Sequence, residues 1–297
     1  MFYICSMTGL HIIWFRNDLR VHDHAALRAA CNAAARDGGD VLALYIETPE
    51  PDDSSEQQHL NASLGQLRSA LEHKGALLHV RTGRSEDVFS ELHRLHGVSS
   101  LHVHEVPFED PDAPHLQSWA LRAGVAFRTY AQFGPADSSD EFASLDEAWT
   151  RYMAQPRFET PEINRAANVG VGQNLVPSDQ TEGGRREAIE SLRAFLGSVS
   201  DPQRIAITEA ESGAAFYERL KPFLLLGVLS LREVWQAASS AHHQMQRAGQ
   251  DIRAASIKSL LRRLPELHKQ RALDRTVDSA LNARHYGDKG QQLSLGL

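Results

Sequence analysis

A dense group of charged residues follows the first apolar run of the chain. The run LHIIWF spans residues 10–15, and the sequence RNDLRVHDH comes directly after it. Four of its side chains, Arg16, Asp18, Arg20 and Asp23, carry guanidinium or carboxylate groups. Groups of these types at this spacing can pair with one another and tie the loop down, or they can contact a polar ligand directly. We prefer the structural interpretation and keep ligand contact as the alternative.

Two histidines form a second candidate. His102 and His104 alternate in the sequence HVHE, so both side chains are predicted on the same side of a strand. Imidazole is a common metal ligand, but the pattern offers no third ligand for a closed site. We therefore predict no metal here and keep a metal role as the minor alternative.

The elements that position these residues alternate between two kinds. Five short runs rich in β-branched and aromatic residues predict strands at 10–15, 41–46, 76–81, 100–106 and 125–130. Helical patterns lie between them, and each ends at a glycine. This alternation predicts a doubly wound α/β domain with a parallel sheet over residues 8–132. Because ligands in such sheets bind beyond the carboxyl ends of strands, the Arg16 to Asp23 loop is a candidate pocket wall.

The rest of the chain has a different pattern. Residues 133–180 are rich in Pro, Gly, Asn and Asp around one helical segment, SLDEAWTRYMAQ, which predicts an inter-domain connector. Residues 181–286 carry helical patterns without a strand signal, so the second domain is predicted to be all-helical. Residues 287–297 are predicted to be a flexible tail.

Composition limits the functional classes. The 297 residues are 42% hydrophobic and carry a formal net charge of −7, which argues against a protein that coats nucleic acid, so any DNA contact must be focused. Two cysteines, Cys5 and Cys31, leave no disulfide framework and favour a cytoplasmic location. No apolar run approaches the roughly 20 residues of a membrane span, so no membrane partner is expected.

The stretch IIWFRNDLRVHDHAAL, residues 12–27, resembles the opening of the photolyase/cryptochrome family. The resemblance continues in AWTRYMAQPRFETP, in EGGRREAIESLRAFL and, more loosely, in RLKPFLLLGVLSLREVWQAA at residues 219–238. It implies an α/β domain able to hold an antenna pigment and a helical domain that binds flavin adenine dinucleotide (FAD). In photolyases, the light-excited flavin repairs pyrimidine dimers in DNA. Whether an antenna pigment binds here is left open.

The family's flavin phosphate site departs from the pattern in this chain. In the family, the serines of a Ser-Arg-Leu-Ser-Pro stretch bond the pyrophosphate at a helix start, where backbone N–H groups favour anions. The matching positions are Glu218, Arg219, Leu220 and Lys221. Glu218 would repel a phosphate, and Lys221 would offset only part of that repulsion. Family members also continue through further helices around the flavin, so we expect a shortened member with an impaired FAD site and assign no catalytic residue.

A basic region follows in SLLRRLPELHKQRAL and the residues after it, with charges at Arg262, Arg263, His268, Lys269, Arg271 and Arg275. The pattern fits a solvated helix face or a contact with a phosphate backbone. The DNA-contact candidates are Arg262, Arg263, Lys269 and Arg271.

The last residues read QLSLGL and resemble the short peptide by which bacterial replication and repair proteins bind the β sliding clamp. The resemblance implies a hydrogen bond from Gln292 and apolar anchors at Leu293, Leu295 and Leu297. A terminal strand or a tail packed on the core remains the alternative. The sequence thus predicts a photolyase/cryptochrome-like, non-catalytic DNA-repair accessory recruited to the clamp. The alternative is a FAD-dependent deoxyribodipyrimidine photolyase or blue-light cryptochrome.

Overall fold

The protein is described here from a computed structural model. The structure describes residues 9–47, 55–106, 113–135, 144–169, 183–197 and 211–269. Among these residues, no helix combines the length and the apolar character that crossing a bilayer requires.

Five parallel strands form the N-terminal sheet. They are β1 (Leu10–Phe15), β2 (Asp40–Glu47), β3 (Leu78–Thr82), β4 (Val98–His104) and β5 (Ala126–Tyr130). Their order is β3-β2-β1-β4-β5, so the chain winds outward from β1 in both directions. This arrangement confirms the predicted doubly wound sheet. It follows from β-branched and aromatic runs joined by helical crossovers, with the central strands β1 and β4 buried on both faces and the edge strand β5 largely exposed.

Four helices cover the sheet: α1 (Ala25–Asp37), α2 (Ser55–Glu72), α3 (Ser85–His96) and α4 (Ala113–Ala123). The glycine stops predicted from the sequence are present, since Gly38 and Gly97 end α1 and α3 with φ angles of 74° and 68°. These left-handed conformations are those that glycine adopts without steric cost.

The remaining described elements are helical, as predicted. They are α5 (Leu145–Ala154), α6 (Gly184–Phe195), α7 (Gly213–Leu225), α8 (Leu231–Arg247) and α9 (Asp251–Arg263). The continuous helical pattern at 216–249 forms two helices, because Gly227 turns with a φ of 66° and Ser230 caps the Glu233 N–H. A Cβ at Gly227 would overlap the Asn17 carbonyl oxygen, so this turn lies directly against the loop after β1.

Two hydrophobic clusters stabilise the fold. One lies between the sheet and helices α3 and α4, with Trp14, Phe89 and Trp119 among its members. The other begins under α1 and α2 with Ile13 and Phe15 and continues without interruption to residues of the helical part, including Phe216 and Val234. The helical part is therefore packed directly on the α1 and α2 face of the sheet.

Candidate functional site

Asp23, at the end of the loop after β1, joins this loop to the helical part. Its Oδ1 accepts hydrogen bonds from Arg232 Nη1 at 2.8 Å and from the Phe158 N–H at 2.9 Å, and its Oδ2 accepts one from Ser230 Oγ at 2.7 Å. Burial alone would raise the pKa of Asp23, but the hydrogen bonds from Ser230 and Phe158 and the charge of Arg232 hold it below its usual value. The carboxylate is thus a buried anion with its acceptor positions filled.

Other loop residues make the same kind of connection. Arg20, which is buried, donates through Nη1 to the Gly227 carbonyl at 2.8 Å and to Gln132 Oε1 at 3.2 Å. Asn17 donates its amide to the Leu225 carbonyl at 3.0 Å, and the Leu19 N–H bonds the Leu226 carbonyl at 3.1 Å. The loop is therefore hydrogen-bonded along the turn between α7 and α8.

Asp18 is held from three sides within the α/β domain. Its Oδ1 accepts the Arg16 N–H at 2.7 Å, and its Oδ2 lies 2.9 Å from His104 Nδ1 and 3.0 Å from His24 Nε2. Burial opposes ionisation of Asp18, yet the bonds to His104 and His24 keep its pKa well below the usual value. Burial also lowers the pKa of His24, and that of His104 to about 3. His104 thus donates to the Asp18 carboxylate, and the neutral His24 ring lies beside it.

The sequence did not reveal that Asp18 and His24 lie beside His104, and the three could be taken for a metal site. One hydrogen bond argues against a metal. His24 Nδ1 already accepts the Leu27 N–H at 3.0 Å as the cap of α1, so Nε2 carries the proton in the neutral ring. A metal-bound histidine instead donates its second N–H to an acceptor. The cluster is a hydrogen-bonded anchor for the loop, and His102 lies apart from it, bonded to Ser100 and Tyr130.

The four loop residues find other partners than expected. The expected pairing of the loop carboxylates with the loop arginines is wrong. Asp18 instead contacts His24 and His104, and Asp23 forms an ion pair with Arg232. Within the loop, the Arg20 guanidinium reaches only the Asp23 carbonyl oxygen, at 3.3 Å. The residues that sequence reasoning missed are His24, Ser230 and Arg232. One signal was available, since Ser230 followed by Glu233 is a capping-box pattern that predicts a helix start.

A cleft runs beside this loop, where the fold places the candidate pocket. One cavity of about 350 Å³ lies between the loop, α2 and α6, and a second of about 530 Å³ lies between the loop, α8 and the Arg157 to Thr160 segment. Arg20 lines the first cavity and Asp23 the second. Arg185 lines both and is held by Glu233 at 2.8 Å and by the Val228 carbonyl at 2.7 Å. A direct ligand contact by the loop charges stays a prediction.

The segment that matches the flavin phosphate pattern does not lie at a helix start. Glu218, Arg219, Leu220 and Lys221 lie in the interior of α7, which begins at Gly213, so their N–H groups belong to the helical ladder. Glu218 and Arg219 are exposed and Leu220 is buried. The expected helix-start geometry at these residues is therefore wrong.

The actual start of α7 offers no replacement. Ser212 Oγ caps the Ala215 N–H, and a Cβ at Gly213 would overlap the Ser256 carbonyl oxygen of α9. The start of α7 is therefore occupied by its own serine cap and by close packing on α9. The role of these residues in binding FAD stays a prediction.

The side chains of the basic region lie in different surroundings in the structure. Arg262 is exposed, Arg263 pairs with Glu266 at 2.8 Å, and Lys269 pairs with Asp146 at 3.0 Å. His268 is buried, so its expected place on a solvated basic face is wrong. Arg271 and Arg275 lie outside the described residues, as do Gln292, Leu293, Leu295 and Leu297.

Comparisons with known proteins agree with this architecture. Residues 11–131 match the family model described as DNA photolyase. The blue-light photoreceptor PHR2 of Arabidopsis thaliana is 34% identical over 269 residues, covering 75% of this chain and 59% of its own length. A cryptochrome DASH of Gloeobacter violaceus is 25% identical over 274 residues, with 79% of this chain and 53% of its own length covered. The chain thus spans little more than half the length of these relatives.

A solved structure supports the fold independently. A bacterial class III photolyase from Agrobacterium tumefaciens superposes with a TM-score of 0.59 at 19% identity, covering 91% of this chain and 59% of that one. At this identity the likeness concerns the fold alone. With the family match over the α/β domain and the relatives that align across both parts, this chain is a photolyase/cryptochrome-like protein.

Proposed function

We propose that this protein is a non-catalytic DNA-repair accessory that is recruited to the β sliding clamp. The observation that carries the non-catalytic part is the position of Glu218 to Lys221 inside α7, together with the packing of the α7 start on α9. A pyrophosphate needs free N–H groups and a positive environment. Here the corresponding N–H groups are inside a helix, and an acidic side chain replaces a hydroxyl.

Two features support the repair context. Its curated relatives include proteins named deoxyribodipyrimidine photo-lyase, among them that of Escherichia coli strain K12, which is 51% identical over 71 residues but covers only 22% of this chain. The exposed Arg262 at the end of α9 provides a cationic position for a DNA phosphate. We place the protein in the cytoplasm, in keeping with its low cysteine content.

Recruitment rests on the peptide QLSLGL. Alternate leucines preceded by the Gly-containing stretch GDKG suit capture in preformed apolar pockets of a partner. A few anchors carry most of the energy in such interfaces, and Leu293, Leu295 and Leu297 are the anchors we assign.

The test is binding of the full chain to immobilised bacterial β clamp. We expect the double variant Leu293→Ala, Leu295→Ala to lose binding and to keep the thermal unfolding midpoint of the parent. Gln291→Ala, one residue before the motif, is the matched control and should bind as the parent does. Unchanged binding by the double variant would refute recruitment through this peptide, and a large drop in its midpoint would mean that the tail belongs to the core.

The alternative function is that of a FAD-dependent photolyase or blue-light cryptochrome. The observation in its favour is the 34% identity to a blue-light photoreceptor across most of this chain. Repair of pyrimidine dimers by the purified protein under blue light would establish the photolyase alternative and would contradict the non-catalytic proposal.

A further inference from the structure

A chain of polar side chains crosses the interior of the sheet on its α1 face. Tyr130 Oη lies 2.8 Å from His102 Nδ1, His102 Nε2 lies 2.7 Å from Ser100 Oγ, and Ser100 Oγ lies 2.6 Å from His11 Nδ1. His11 Nε2 then lies 2.9 Å from an Asp37 carboxylate oxygen at the end of α1. His11, Ser100 and His102 are buried, whereas the Asp37 side chain is 49% exposed. The chain links a half-buried phenol on edge strand β5 to a surface carboxylate.

One set of hydrogen positions runs through this chain from Tyr130 to Asp37. A carboxylate only accepts, so His11 Nε2 carries a proton, and in this set His11 Nδ1 is an acceptor. Ser100 Oγ–H therefore donates to His11 Nδ1 and its oxygen accepts from His102 Nε2–H. His102 Nδ1 is then the acceptor for the Tyr130 hydroxyl. Every donor points the same way, from Tyr130 toward Asp37.

Two electrostatic effects keep these protonation states in place near neutral pH. The hydrogen bonds from His11 and the Gly39 N–H lower the pKa of Asp37 although burial opposes this, so the group is a carboxylate. Burial lowers the pKa of His102 to about 4, so its ring is neutral and can accept a proton.

We propose that Tyr130 is a redox-active site, oxidised by an external one-electron oxidant while its proton passes along His102, Ser100 and His11 to Asp37. The electron leaves for the oxidant and the Tyr130 O–H bond breaks. Its proton bonds to His102 Nδ1, the proton on His102 Nε2 moves to Ser100, the Ser100 proton moves to His11 Nδ1, and the proton on His11 Nε2 moves to Asp37. The products are a neutral phenoxyl radical, a protonated Asp37 and a reduced oxidant. This proposal does not depend on the proposed function.

The other described tyrosines show why Tyr130 is singled out. Tyr152 donates to the Ala131 carbonyl at 2.9 Å, and a carbonyl oxygen is too weak a base to take the proton of an oxidised phenol. Burial raises the pKa of Tyr130, and that of Tyr45 and Tyr217 to about 12, so the base beside Tyr130 is what distinguishes it. Within the described part of the chain, Tyr130 is the tyrosine whose hydroxyl meets a neutral imidazole nitrogen. A positioned base lowers the barrier for losing a proton in the same step as an electron.

The test is laser-flash oxidation of the full-length protein with photogenerated ruthenium(III) tris(bipyridine), followed by the phenoxyl absorption band and by electron paramagnetic resonance. We expect a tyrosyl radical that Tyr130→Phe removes and Tyr152→Phe leaves. His102→Gln keeps an amide able to bond Ser100 and Tyr130 but provides no base, and it should slow radical formation at least about tenfold.

Asp37→Asn tests the far end of the relay without touching the core. It should slow radical formation, because the amide oxygen accepts the His11 hydrogen bond but takes up no proton. Asp40→Asn is the matched control, since Asp40 is a nearby surface carboxylate paired with Arg165 and outside the chain, and it should leave the rate unchanged. An unchanged radical yield in Tyr130→Phe, or an unchanged rate in both His102→Gln and Asp37→Asn, would overturn the proposal.

Discussion

Asp23 and Arg232 form a buried ion pair between residues that are 209 positions apart, with Oδ1 and Nη1 separated by 2.8 Å. Arg232 also lies over the rings of Tyr152 and Phe158, with its Cζ 4.6 Å and 5.4 Å from their centroids. The pair connects the loop after β1, the connector and α8. The charged loop after β1 thus helps to hold the helical part on the sheet.

Removing one partner of this ion pair should lower the free energy of unfolding. Asp23→Asn keeps the left-handed backbone conformation that Asp23 adopts at φ 47°, because Asn tolerates it, but leaves Arg232 as a buried unpaired charge. We expect the free energy of unfolding to fall by about 3–5 kcal/mol in denaturant titrations. Adding Arg232→Met should recover part of that loss.

The matched control is an exposed ion pair. Glu86→Gln removes the partner of Arg122, whose side chain is 65% exposed, and should change the free energy of unfolding by less than about 1 kcal/mol. If Asp23→Asn were as mild as Glu86→Gln, the pair would not be holding the two parts together.

Stability should decline as the pH falls below about 6.5. Burial lowers the folded-state pKa of His24, of His102 to about 4 and of His104 to about 3, whereas the unfolded chain takes up these protons near pH 6.5. The unfolded state therefore binds more protons in this window, and each histidine removes about 1.4 kcal/mol of stability per pH unit. The loss continues until the folded-state pKa is reached.

Urea titrations between about pH 7 and about pH 5 measure this slope. His104→Gln retains an N–H donor for Asp18 but does not titrate. The slope of the free energy of unfolding against pH should therefore fall by about 1.4 kcal/mol per pH unit, the contribution of one histidine. An identical slope in the variant would contradict the assignment of His104 as a buried neutral donor.

DNA affinity should depend on Arg262 more than on Lys269. Lys269 pairs with Asp146, whereas Arg262 is exposed at the end of α9. We expect Arg262→Ala to weaken binding to duplex DNA and to reduce the salt dependence of the logarithm of the binding constant by about one. Fluorescence anisotropy over a salt series is the measurement. Equal effects of Arg262→Ala and Lys269→Ala would argue for a general charge effect.

Restoring the family's hydroxyl residues should not restore a flavin site. If α7 geometry excludes the pyrophosphate, the double variant Glu218→Ser, Lys221→Ser should retain no more FAD than the parent after gel filtration. If the charge of Glu218 is the obstacle, the same variant should gain FAD. The comparison separates helix geometry from electrostatic repulsion.

The architecture was predictable because its signals are local. The strand LHIIWF occurs as β1 with the predicted bounds, and Gly38 and Gly97 end helices as predicted, since side-chain periodicity and glycine conformation act over a few residues. The break between α7 and α8 was missed although local signals for it were present, since Gly227 follows the end of one helix and Ser230 with Glu233 forms a capping box at the start of the next. The contact of Gly227 with Asn17 was not predictable, because a helical pattern contains no information on contacts between distant residues.

The site was harder to predict for the same reason. Asp18 and His104 are 86 residues apart, and His11 and Ser100 are 89 apart, yet β1 and β4 bring them together as neighbours in one sheet. The sequence placed His102 and His104 on one strand face but could not identify the partners across it. Tautomers and proton direction follow only from those partners, so neither the Asp18 anchor nor the Tyr130 relay could be read from one strand.

The most direct test of the non-catalytic account is the visible absorption spectrum of the purified, untagged protein before and after addition of FAD and gel filtration. We predict that the eluted protein is colourless in both cases, because the segment matching the phosphate site lies inside α7. A blue-region flavin band that co-elutes at close to one FAD per chain would contradict that account and return the protein to the light-driven enzymes or photoreceptors.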